Sequence, residues 1–190
     1  MLTKIRKYAR PKQYKQAMSG LFTSRLIYCI TVWAAIWHIP GDYEIENKRT
    51  SMSKKDMHKL QVLQNKALRL IHGTDRSEST ENLLKRTDSL SVHQLAAYHT
   101  LLQAFKIKNS GLPTYHNRRL FGAPNVEGYN SRSGATTRVN FNLSLGRGSF
   151  FYQANRLWTA IPEEMKTIYS QRSFKKCCKE WVRANIKAKP

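Results

Sequence analysis

Apolar residues recur at helical spacing through most of the chain, and the first such stretch covers residues 12–37. Pro11 stands before it and Pro40 after it, and proline is common at the start of helices and just beyond their ends. The residues that share one face of this stretch, and that we expect to be buried, are Ala17, Leu21, Ser24, Tyr28, Thr31 and Ala35. The pattern predicts one long buried helix.

A second helix is predicted from Lys54 to the glycine at position 73, which is a natural helix stop. Its expected buried face consists of Met57, Leu60, Leu63, Gln64, Ala67, Leu70 and Ile71. At about 100° per residue, four positive residues project together from the opposite side, without an acid among them. We call these four the basic ridge: Lys55, Lys59, Lys66 and Arg69.

Four more helices are predicted farther along the chain, at residues 80–85, 92–108 and 149–160 and after Ser173. The last of them is amphipathic. We expect it to bury Phe174, Cys177, Cys178, Trp181 and Val182 and to leave Lys175, Lys179, Arg183 and Lys187 outward.

Residues 121–149 differ from the rest, because they are rich in Gly, Asn, Ser, Thr and Arg. Within them Val139, Phe141, Leu143 and Leu145 alternate with polar residues, which is the period of a strand. The pattern therefore predicts a short hairpin. With a boundary near residue 112, we expect a mostly α protein: a helical bundle over residues 1–112 and a smaller basic α+β tail over residues 113–190.

The charge balance points to a polyanionic partner. The chain has 33 Lys and Arg against 12 Asp and Glu, a formal net charge of +21, and such an excess is typical of nucleic-acid binders. A membrane-surface protein and a merely basic soluble protein are the alternatives. The most apolar run, residues 26–39, is shorter than the ~18 residues of a spanning helix, so no membrane partner is expected.

The cysteines and the amino-terminal residues indicate in which cellular compartment the protein is expected. Cys177 and Cys178 are adjacent and Cys29 is distant, so neither a disulfide framework nor a metal clip is indicated. The first residues lack the apolar stretch of a signal peptide. We expect a reducing, intracellular location in the nucleus or the cytoplasm, without secretion.

Catalytic patterns are weak in this sequence. Two-metal polymerase chemistry usually needs an adjacent Asp pair, whereas Asp42, Asp56, Asp75 and Asp88 stand singly. The histidines lack zinc-ligand spacing, and residues 146–148 lack most of a phosphate-binding loop. We therefore expect a binding module that holds no cofactor and is not an enzyme by itself. An independent hydrolase stays open, because its partners would meet only in space.

Two groups of residues are candidates for nucleic-acid contact. The basic ridge suits a row of phosphates, and the alternative is a solvated helix face. Arg132, Arg138 and Arg147 lie in the Gly/Ser-rich segment beside aromatic residues, as in proteins that hold single strands by charge and stacking. The aromatic residues that would stack on bases, or else pack in the core, are Phe141, Phe150, Phe151 and Tyr152.

Three other side chains favour a structural role. Trp33 and Trp158 are large apolar groups near helix ends, and we expect them in the core. Gln64 lies on the apolar face of its helix, where we expect its amide to satisfy a neighbouring backbone group instead of contacting RNA.

Three segments resemble the C-terminal part of LINE-like reverse transcriptases, the polymerases of jockey-type and related non-LTR retrotransposons. Residues 60–73 are very similar to the family's L-x-x-L-Q-N-K-A-L-R-L-I-x-G helix. Residues 26–33 look like the helix that follows the palm. The third segment resembles the family's tail, and it consists of Thr137-Arg138, residues 150–162 and residues 173–175. It differs from the family at two positions, where Thr159 replaces the usual Asn and Ile161 the usual Leu.

This resemblance implies a thumb that grips template and primer, followed by a tail that assists RNA engagement. The partners implied are RNA or an RNA/DNA duplex, together with the fingers and palm of the parent polymerase. The palm is missing here, and with it the carboxylates that bind Mg²⁺. The alternative is a folded remnant of a transposable-element gene that binds no nucleic acid.

Overall fold

A computed structural model describes residues 8, 10–34, 36, 39–40, 52–74, 77–121 and 149–187 of the chain. Within these ranges there are ten α-helices and no strand, which confirms the prediction of a mostly α protein. The helices are α1 (Pro11–Met18), α2 (Ser24–Ile27), α3 (Ile30–Trp33), α4 (Lys54–His72), α5 (Thr80–Arg86), α6 (Val92–Ser110), α7 (Thr114–Phe121), α8 (Phe150–Ala160), α9 (Glu163–Lys166) and α10 (Gln171–Asn185). The described part of the tail is helical, and the predicted hairpin at residues 139–145 lies outside the described residues.

The prediction of one helix over residues 12–37 is wrong. A π-helical turn, Ser19–Thr23, follows α1, and the helix is broken between α2 and α3, where Cys29 takes a left-handed backbone with φ 50°. The expected stripe is also wrong, because Leu21 and Tyr28 are 54% and 75% exposed. The physical reason is that this stretch is apolar on several sides. Its periodicity therefore does not define one buried face, and packing against the other helices decides which residues are buried.

Capping residues set the start of helices α4, α5 and α6 and the end of two of them. Ser53, Ser79 and Ser91 each accept a hydrogen bond from a backbone N–H of the first turn of the helix that follows. The two longest helices stop at glycines with left-handed backbones, Gly73 and Gly111. The predicted positions of these three helices are confirmed, but Leu63, which we expected on the buried face of α4, is 49% exposed.

Helix α6 is the centre of the core. It contacts α3, α4, α7, α8 and α10 and buries residues around most of its circumference, which are Val92, His93, Gln94, Ala96, Ala97, Thr100, Leu101, Leu102, Ala104, Phe105 and Ile107. A single apolar cluster joins Leu26 near the amino terminus to Ile186 near the carboxyl terminus. Helices from both sides of the predicted boundary at residue 112 therefore pack against the same helix.

The amphipathic pattern of α10 is confirmed at its centre. Phe174, Cys178 and Val182 are fully buried, while Cys177 and Trp181 are half-buried. The Phe174 ring stacks on Phe105 of α6 at 4.1 Å between centroids. Burial, with a smaller contribution from the neighbouring Cys177, raises the pKa of the Cys178 thiol to about 12, so this cysteine is an apolar packing group at neutral pH.

Polar contacts join the carboxyl-terminal half of α10 to α6 and to the segment that precedes α6. Gln94 Nε2 donates to the Ile186 carbonyl at 2.9 Å, and the Asp88 carboxylate pairs with Lys179 and Arg183. The hydrogen bond from Lys179, followed by that from Arg183, lowers the pKa of Asp88. These pairs are partly solvated and act mainly to fix orientation.

In the part of the chain that the structure describes, every helix is too short or too polar to cross a bilayer.

Candidate nucleic-acid interface

Three of the four ridge residues lie on one exposed face of α4. Lys55, Lys59 and Lys66 are all exposed, and Val62 between them is 36% exposed. The expectation that no acid intervenes is wrong, because Lys59 forms an ion pair with Asp56 at 2.9 Å. Asp56 sits at the amino end of the helix, where the Ser53 hydroxyl and then Lys59 lower its pKa. An exposed pair of this kind is weak, so Lys59 is available to a phosphate.

Arg69, the fourth ridge residue, is used within the protein. It is half-buried, and its Nη2 donates to the Glu78 carbonyl at 2.8 Å. The Glu78 carboxylate in turn pairs with Arg86 at 3.4 Å. Arg69 therefore links the end of α4 to the segment that precedes α5.

The opposite face of α4 contains a buried network of side-chain amides that the sequence pattern did not indicate. Gln61 Nε2 donates to Gln64 Oε1 and to Asn65 Oδ1, both at 2.9 Å. The Gln61 Oε1 accepts from the backbone N–H of Val92 at 2.8 Å. This N–H belongs to the first turn of α6, whose donors have no partner inside the helix. Gln61 thus caps the central helix from α4.

Two further bonds extend the network to neighbouring segments. Gln64 Nε2 donates to the Leu90 carbonyl at 2.8 Å, which confirms the expectation that this glutamine satisfies a backbone group. Asn65 Nδ2 donates to Thr80 Oγ1 at 3.1 Å. Because α4 is fixed at this face to α5 and α6, the lysines on its other face have a defined position relative to the rest of the protein.

A second cluster, on α7 and α8, combines aromatic rings with arginines. Tyr115 is 61% exposed, and its ring meets Phe151 edge to face at 6.1 Å. The Arg119 guanidinium lies over the Phe151 ring at 4.6 Å and donates to the Tyr115 hydroxyl. His116 also contacts Phe151 edge to face. We call Tyr115, His116, Arg119 and Phe151 the aromatic–arginine cluster.

Sequence reasoning missed most of this cluster. It named Phe151 as a stacking candidate, but it did not join Phe151 to α7, which is distant in the chain. The signal in the sequence was the spacing of Tyr115 and Arg119, which are four residues apart and so lie on one face of a helix. Arg132, Arg138 and Arg147 lie outside the described residues, as does Phe141, so their predicted role stays a prediction.

The two tryptophans named from the sequence differ in burial. Trp158 is 4% exposed, which confirms its place in the core. Trp33 is half-buried against the same core, and its Nε1 donates to the Tyr28 carbonyl at 2.8 Å. Phe150 and Tyr152, the other two described stacking candidates, are half-buried.

The described ranges contain no group of three His, Cys, Asp or Glu side chains arranged to hold a metal ion. Comparison of the chain with protein-family models, with curated proteins and with solved structures gives no match. What the chain does must therefore be argued from its own residues.

Proposed function

We propose that this chain binds RNA or an RNA/DNA duplex as the thumb and C-terminal segment of a LINE-like reverse transcriptase, and that these 190 residues do not include the catalytic palm. The observation that carries the proposal is the exposed face of Lys55, Lys59 and Lys66 on a long, rigidly fixed helix, in a chain with a net charge of +21. In the proposal, residues 1–112 form the thumb, and residues 113–190 form a basic tail with a hairpin.

The spacing of the lysines supports contact with several phosphates. At about 1.5 Å per residue, Lys55 and Lys66 are separated by about 16 Å along the helix axis. In double-stranded DNA one strand advances about 3.4 Å along the helix axis per phosphate, so a row parallel to that axis would span roughly five nucleotides. Lysines in such a row position a backbone without reading its sequence, which fits a polymerase segment that must hold any template.

The segment that most resembles the family coincides with α4, and the structure gives its residues two different tasks. Gln64 and Asn65 point inward and join α4 to its neighbours, whereas Lys66 points to solvent. Such a helix is fixed to the protein through one face and presents a cation on the other. This division of roles supports the family proposal.

A second candidate is a folded remnant that binds no nucleic acid. The observation that favours it is that two of the four ridge cations are engaged within the protein: Lys59 with Asp56, and Arg69 with the Glu78 carbonyl. Experiment can separate the two candidates.

The test is the salt dependence of RNA binding by a triple variant in which Lys55, Lys59 and Lys66 become Gln. Each phosphate contact on a single strand contributes about −0.7 to the slope of log affinity against log salt. Loss of three contacts should therefore make the slope shallower by about 2. Fluorescence anisotropy with a short single-stranded RNA over a salt series gives both slopes. Arg69 is left unchanged, because its loss would disturb the fold.

A matched control removes the same charge elsewhere. Lys85, Lys106 and Lys176 are exposed and lie on α5, α6 and α10, so their triple replacement by Gln lowers the net charge equally. Circular dichroism checks that both variants fold, as the helix propensity of Gln is close to that of Lys. Equal slopes for the two triple variants would show that net charge alone drives binding. If the unaltered chain does not bind RNA at low salt, the remnant is the better account.

A further inference from the structure

The surface formed by α7 and α8 is positive, because neither helix contains an acid. Residues 114–121 contain Arg118 and Arg119, and residues 150–160 contain Arg156. Arg118 is exposed, and the Arg156 guanidinium lies over the Tyr152 ring at 5.3 Å. Aromatic rings and guanidinium groups therefore occur together on both helices, on a surface whose potential favours an anion.

The exposed ring of Tyr115 is held in place before any ligand arrives. Arg119 donates to its hydroxyl, and Phe151 contacts its ring edge to face. Arg119 is itself fixed over the Phe151 ring. A side chain that is already oriented loses little rotamer freedom on binding, so contact with it contributes more to affinity.

We propose that the aromatic–arginine cluster is a stacking site for unpaired bases, with Tyr115 as the ring that receives the base and Arg118 as the contact for the adjoining phosphate. Proteins that hold single strands without sequence preference combine such rings with positive charge, and bases also stack on guanidinium planes. The ligand class is single-stranded RNA or DNA. The inference rests on the proposed function and adds to it a preference for single strands over duplex.

The lysine face of α4 and this cluster should make different contributions. Phosphates are exposed on both single strands and duplexes, so the lysines bind either one. Base faces are accessible only where bases are unpaired. The cluster therefore confers selectivity for single strands, while the lysines supply binding that falls with salt.

The test is to replace Tyr115 with Ala and with Phe in the full chain. The probes are a uridine-rich single-stranded RNA that contains one 2-aminopurine and a blunt RNA hairpin of similar length. Stacking is worth about 1–3 kcal/mol per base, so Tyr115→Ala should weaken single-strand binding about fivefold or more. Duplex affinity should stay within about twofold of the unaltered chain. Tyr115→Phe keeps the ring and its contact with Phe151 but loses the hydrogen bond from Arg119, so it should bind single strands more tightly than Tyr115→Ala and less tightly than the unaltered chain.

Tyr28→Ala is the matched control, since Tyr28 is 75% exposed in the turn between α2 and α3. It should leave both affinities and the 2-aminopurine signal unchanged. If Tyr115→Ala binds single strands as tightly as the unaltered chain does, with the same 2-aminopurine fluorescence, the inference is overturned. The cluster would then be assigned to a protein contact, while the salt-dependent lysine contribution would leave the proposed function standing. Absence of RNA binding by the unaltered chain would overturn both.

Discussion

Replacement of Trp158 with alanine is expected to lower the free energy of unfolding by about 3–5 kcal/mol, the usual cost of removing a buried tryptophan. The side chain is 4% exposed and meets Phe121 edge to face at 5.3 Å and Phe174 in a stack at 6.2 Å. The Lys108 ammonium lies over its ring at 5.2 Å. Urea denaturation followed by far-ultraviolet circular dichroism gives the change in free energy.

Two comparisons make this result specific. Trp158→Phe keeps a ring against Phe174 and should cost less than the alanine variant. Tyr169→Ala removes a side chain that is 90% exposed and should change the free energy of unfolding by no more than about 0.5 kcal/mol. An unaltered denaturation midpoint for Trp158→Ala would contradict the place of this ring in the core.

Gln61→Leu is expected to destabilise the protein by about 3 kcal/mol or more, although it introduces a more apolar residue at a buried position. The variant leaves the Val92 N–H and the Gln64 and Asn65 oxygens without the bonds that they make to Gln61. Each buried polar group without a partner costs about 1–3 kcal/mol. The same denaturation measurement checks this expectation.

Gln103→Leu is the matched control, because Gln103 is exposed on α6 and the substitution is chemically identical. Its effect should be small, within about 0.5 kcal/mol. If Gln61→Leu were neutral or stabilising, the amide network would not contribute to the position of α4 as we describe.

The helices that could be predicted closely are those with local signals at their ends. Helices α4, α5 and α6 each begin after a serine cap, and glycines end the two long ones. The N-terminal stretch has prolines before and after it, but no local signal marks the breaks inside it. No local pattern in the sequence indicates its π-helical turn or the left-handed backbone of Cys29.

The candidate site could be predicted from the sequence only where its residues lie on one helix. Lys55, Lys59 and Lys66 share a face through helical geometry alone. Arg69 shares that face by its position but turns to the Glu78 carbonyl, and that partner is a backbone atom, to which the sequence gives no clue. The cluster of Tyr115 and Phe151 depends on the packing of α7 and α8 against α6.

The burial of α6 on nearly every side has a consequence for how the protein opens. It packs against α3, α4, α7, α8 and α10, so a local fluctuation of any one of these helices exposes only part of it. We therefore expect its central amides to exchange with solvent deuterium only through global unfolding, and to be the slowest in the described chain. By the same reasoning, a chain cut at residue 112 would lose the Phe174 ring that stacks on Phe105, and we expect α6 to exchange faster in it.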